Sequence, residues 1–71
     1  MTNKKERFKR LATYRTNEVL RRLKVLGNCS NRSAYEYEEE EVNKIFSAIE
    51  MQIRQTKAKF HYSRNNIRFK L

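Results

Sequence analysis

Proline and tryptophan are absent from this 71-residue chain, and glycine, cysteine and histidine occur once each. Each shortage closes a route. A lone cysteine, Cys29, cannot form an intrachain disulfide, and together with the distant His61 it falls short of the four ligands of a structural zinc site. A single glycine, Gly27, excludes the glycine-rich loops that cradle phosphates. Catalysis needs a nucleophile with its base, a carboxylate pair in a pocket, or a metal. Neither Cys29 nor His61 has a partner close in sequence, so no enzyme, cofactor or metal is expected. The acidic run Glu38–Glu41 lacks the alternating oxygen ligands and the glycine of a calcium loop. No apolar run exceeds three residues, which excludes a membrane span and the apolar core of a signal peptide. With a free thiol, this points to a reducing cytoplasm.

What is abundant is positive charge. Seventeen Lys and Arg face eight acidic residues, a net charge of +9, and such a field favours anionic partners. A chain of this size forms one domain, 1–71, with a thin stability margin. With disulfide and metal excluded, self-association or a partner surface is the remaining source of support. High charge with few apolar residues also suits a disordered chain, so periodicity has to decide.

The periodicity is helical. Phe8, Ala12, Val19, Leu23 and Leu26, joined by Leu11 and Leu20, recur at three- and four-residue spacing and predict a helix over about 4–26. Gly27 and Asn28 tolerate the left-handed conformation at which helices commonly end. The stretch 29–34 is rich in Ser and Asn, which compete with helical hydrogen bonds, so 27–37 is expected to be a loop. Val42, Ile45, Phe46, Ile49, Ile53, Thr56 and Phe60 predict a second helix over about 38–59. The charges of Glu38–Glu41 favour its positive dipole end, and Ser33 with Glu36 offers an earlier capping box. The basic tail, 60–71, alternates weakly at Ile67, Phe69 and Leu71 and reads as a frayed arm or a short strand.

Both apolar stripes, Phe8 to Leu26 and Val42 to Phe60, span 18 positions. The expected fold is therefore all-α: an antiparallel helical hairpin that leaves part of both stripes wet and pairs with a second copy into a four-helix bundle. Arg15 falls close to the centre of the first stripe and would call for Glu18 or Glu50 as a partner, or for an opening in a dimer interface. Met51, with Lys44, Ala48, Gln55 and Ala58, forms a small-residue surface opposite the second stripe. That surface is either ordinary exposure or a further contact face.

Charge is segregated along the chain. Residues 1–27 hold nine basic and two acidic side chains, a net +7. Residues 28–50 hold two and six, a net −4, and residues 51–71 hold six and none, a net +6. On the first helix, Arg7, Arg10, Tyr14, Asn17, Arg21 and Lys24 are spaced 3, 4, 3, 4, 3, along the side opposite the apolar stripe and over about 26 Å. Such side chains supply charge, bidentate hydrogen bonds and a stacking surface for nucleic acid. In a hairpin the basic start of the chain would meet Lys57, Lys59, Arg64 and Arg68 at one pole, with Phe60, Tyr62 and Phe69 interleaved. No zinc-finger, RNA-recognition-motif or KH signature is present, and a connection of about ten residues suits a helix-turn-helix poorly.

The stretch from Val25 to Tyr37, Val-Leu-Gly-Asn-Cys-Ser-Asn-Arg-Ser-Ala-Tyr-Glu-Tyr, runs on into glutamates and Val42-Asn43-Lys44-Ile45-Phe46. It resembles a pattern in small uncharacterised bacterial and mobile-element proteins with a G-N-x-S-N-x-S-x-Y-x-Y loop between two helices. The resemblance implies a bacterial or phage accessory setting, with Asn28, Ser30, Asn31, Tyr35 and Tyr37 in a specific structured loop. There a Thr often follows the second Tyr and would cap the next helix, whereas Glu38 stands in this chain. The loop either bonds its own backbone or presents Tyr35 and Tyr37 to a partner.

Three functions compete at this point. The first is a homodimeric nucleic-acid-binding protein, for DNA or RNA, acting through the basic face and pole. The second is a helical adaptor or inhibitor that docks its apolar or acidic surface on another protein. Association with anionic membrane is the third, and the polar loop and matched stripes argue against it.

Overall fold

A computed structural model describes residues 3–65 of the chain, with side chains to residue 61. The described residues form two α-helices and no strand: α1 (Lys4–Gly27) and α2 (Glu39–Asn65), separated by a 3-10 turn at Asn28–Ser30 and a short linker. The helices belong to two units, Met1–Glu36 and Tyr37–Leu71.

Helix α1 starts where Asn3 turns the chain. Asn3 is extended (φ −88°, ψ 173°), its side-chain oxygen accepts from the Glu6 backbone N–H at 2.8 Å, and its carbonyl accepts from Arg7 N–H at 3.0 Å. The Glu6 N–H, one of the donors that a helix start leaves without an intrahelical acceptor, is thereby satisfied, and the bond from Arg7 N–H is the first rung of the helical ladder. Glu6 in the first turn and Lys24 in the last complement the helix dipole. No Gly or Pro interrupts the run from Lys4 to Leu26, so nothing breaks the ladder before Gly27.

The end of α1 corrects the expected left-handed stop. Gly27 is right-handed helical (φ −59°), as is Asn28 (φ −66°), and no described residue has a positive φ. The ladder instead tightens: Asn28 N–H donates to the Val25 carbonyl three residues back, and the 3-10 turn carries the chain to Asn31. There the backbone becomes extended (φ −71°, ψ 103°) and a compact turn follows. The Asn31 side chain accepts from Ser33 N–H at 3.0 Å, while its carbonyl accepts from Ala34 and Tyr35 N–H at 3.1 and 3.0 Å. Asn31 thus organises the linker through its own backbone and side chain, as an Asx turn does.

Helix α2 is capped by Glu38, and the earlier start at Ser33 with Glu36 is not used. Glu38 N–H donates to the Glu41 carboxylate at 2.8 Å, the reach-back arm of a capping box, and the Glu38 carbonyl accepts from Glu41 and Val42 N–H. Helix α2 also runs six residues past its expected end at 59, because Phe60–Asn65 contains neither Gly nor Pro and its weak alternation does not compete with an established helix. The tail expected over 60–71 is therefore helical as far as Asn65. Ile67, Phe69 and Leu71, read as a possible strand, lie outside the described residues.

Among the described residues no side chain is fully buried. On α1, Leu11, Ala12, Leu23 and Leu26 are half-buried, whereas Phe8 and Val19 are 58% and 56% exposed. On α2, Val42 and Ile49 are half-buried, and Ile45, Phe46, Ile53 and Phe60 are exposed. Each helix therefore carries an apolar stripe that its own residues do not cover. No described helix is long and apolar enough to cross a membrane.

Candidate nucleic-acid interface

All six residues of the α1 face lie on one unbroken helix. Arg7, Arg10, Tyr14, Asn17, Arg21 and Lys24 are exposed, Tyr14 at 63%. At 100° per residue their spacing keeps them within about one third of the helix circumference, turned away from Phe8, Val19 and Leu26. Rigid backbone between Arg7 and Lys24 fixes the order of groups: two cations, a tyrosine, an amide, two cations.

One ion pair sits at the edge of this face. The Arg21 guanidinium donates to the Glu18 carboxylate at 2.6 Å, one turn apart, with side chains 56% and 39% exposed. Solvent screens such a pair, so it contributes about 0–1 kcal/mol, and a phosphate can replace the carboxylate at little loss. On α1 taken by itself Arg15 is exposed, and Glu18, one of the partners expected for it, bonds Arg21 one turn further along the helix.

The second set of expected residues is divided. Lys57 and Lys59 are exposed on α2, but two positions on a helix place them on nearly opposite sides, so they do not share a face. Arg64 follows Lys57 by two turns of helix backbone, and Arg68 lies outside the described residues. Extending α2 to Asn65 brings out a set that the sequence reading missed: Arg54, Lys57, His61 and Arg64, spaced 3, 4, 3 along one side. The signal was present in the spacing. It was lost because the helix was ended at 59, which left His61 and Arg64 in a tail.

Cys29 is exposed. Among the described residues, no group of three or more His, Cys, Asp or Glu side chains is placed to hold a metal ion. Comparison of the chain with protein-family models, with curated proteins and with solved structures finds no match, so the loop resemblance stands on its own residues.

Proposed function

We propose that the protein is a small basic nucleic-acid-binding accessory protein, acting through the cationic face of α1 and the basic residues of α2. The observation that carries this reading is the run of six exposed side chains, four of them cationic, along one side of α1. In this reading the two apolar stripes cover one another in an antiparallel hairpin, and two hairpins close into a four-helix bundle that leaves the α1 face outward. Equal stripe lengths and the exposure of Phe8, Val19, Ile53 and Phe60 support that pairing. The Asn31-centred linker and its resemblance to loops of bacterial and mobile-element proteins fit an accessory role in such a setting, and the free Cys29 suits a reducing compartment.

An electrophoretic shift at low salt tests the reading directly. DNA or RNA is expected to be retarded, with affinity falling steeply as salt rises, because each neutralised phosphate releases counterions. Arg10→Glu combined with Arg21→Glu is expected to abolish the shift while leaving the helical circular dichroism intact, since both side chains are exposed. Absence of any retardation at low salt ends the proposal.

The exposed stripes favour one other reading, a helical adaptor or inhibitor that docks on another protein. Its binding would respond to Val19→Asp or Ile49→Asp more than to loss of surface Arg, and its partner would co-purify in the presence of nuclease.

A further inference from the structure

The order of groups on α1 narrows the class of nucleic acid, given the binding reading just proposed. The midpoints of the pairs Arg7/Arg10 and Arg21/Lys24 are fourteen residues apart, about 21 Å along a helix. Between them stand only Tyr14 and Asn17 on this face, three positions apart and therefore neighbours. Cations at both ends with an amide and a phenol between them make a pattern suited to two phosphate backbones flanking a row of base edges.

We infer that α1 seats this face in the major groove of duplex DNA. Arg7 and Arg10 contact one flanking backbone, Arg21 and Lys24 contact the other, and Asn17 reads an adenine beside Tyr14. A helix about 10–12 Å across fits a major groove about 12 Å wide, and lying oblique to the groove it carries cation pairs about 21 Å apart to the two flanking backbones. Asparagine matches adenine in that groove, accepting from N6–H and donating to N7, and the Tyr14 ring can pack against a neighbouring base-edge methyl. The Arg21 guanidinium, held at 2.6 Å by Glu18 in the free protein, exchanges that carboxylate for a phosphate oxygen.

Other nucleic acids fit the face less well. Single strands are bound by stacking successive bases on several aromatic side chains, and this face has Tyr14 alone. The major groove of A-form RNA is too deep and narrow for side chains to read.

The test uses the full chain. Sites are selected from a randomised duplex DNA library, and binding to the selected site is compared by fluorescence anisotropy with a scrambled duplex, with double-stranded RNA and with single-stranded DNA. Duplex DNA is expected to bind most tightly, and the selected site to contain a required adenine. Asn17→Ala is expected to lower the preference for that site over the scrambled duplex by roughly 5- to 150-fold without changing the salt slope. Arg10→Ala is expected to reduce the magnitude of the slope by about 0.9 on both duplexes. Equal or tighter binding of RNA or single strands, or a site preference that survives Asn17→Ala, overturns the groove assignment while nucleic-acid binding itself stands. Failure to bind any of the four probes removes both.

Discussion

Gly27 shows how a single position can carry a misleading signal. Glycine after a helical run commonly marks a left-handed cap, yet here φ is −59° and a Cβ built on Gly27 would meet nothing within 4 Å. Glycine in a right-handed helical conformation gives up backbone entropy that alanine does not. Gly27→Ala is therefore expected to stabilise α1 by about 0.5–1 kcal/mol, seen as a higher midpoint in a thermal melt followed by circular dichroism. A lower midpoint would mean that the residue needs a conformation only glycine adopts. Arg15 makes a related point, because an apolar angular position on a helix wheel does not bury a charge unless something covers that side, and Arg15 is exposed.

Each helix is delimited by different chemistry. Asn3 caps α1 by accepting from Glu6 N–H, whereas α2 starts on Glu38, whose N–H is satisfied by the carboxylate of Glu41. Four consecutive glutamates would repel one another in isolation, but near a helix N-terminus the dipole offsets part of that repulsion and one carboxylate acquires a donor. Removing Glu41 then removes both a hydrogen-bond acceptor and a favourable charge. Glu41→Ala is expected to destabilise α2 by about 0.5–1 kcal/mol, and Glu39→Ala, which loses only charge, by less. Amide hydrogen exchange in the first turn of α2 distinguishes the two, and equal protection in both variants would show that the reach-back bond contributes nothing.

Each helix, taken by itself, leaves several large apolar side chains exposed. Phe8, Val19 and Leu20 on α1 and Ile45, Phe46, Ile53 and Phe60 on α2 are all exposed, and burying one such side chain contributes about 1.5–3 kcal/mol. The proposed bundle recovers that energy through a second copy. Sedimentation equilibrium of the wild type is expected to give a dimer, and Val19→Asp or Ile49→Asp is expected to give a monomer of lower helical content, since each places an unpaired charge in the proposed interface. A wild-type protein that is monomeric and fully helical when dilute would contradict the bundle and leave the stripes to a protein partner.

The helical class, the positions of both apolar stripes and the cationic side of α1 were legible from composition and spacing, because they follow from the fixed pitch of a helix and the absence of residues that break it. The local hydrogen-bond partners and the C-terminal end of α2 were not, whereas both ends of α1 and the start of α2 were legible to within a residue. The tightening at Asn28–Ser30, the Glu38–Glu41 reach-back bond and the Arg21–Glu18 pair each result from competition among nearby donors and acceptors, whereas α2 continues to Asn65 because no Gly or Pro stops it. Distances settle that competition, and the one-dimensional order of residues does not encode them. Length and charge pattern bring the right residue types within reach, and folding in three dimensions chooses which carbonyl, carboxylate or amide each donor meets.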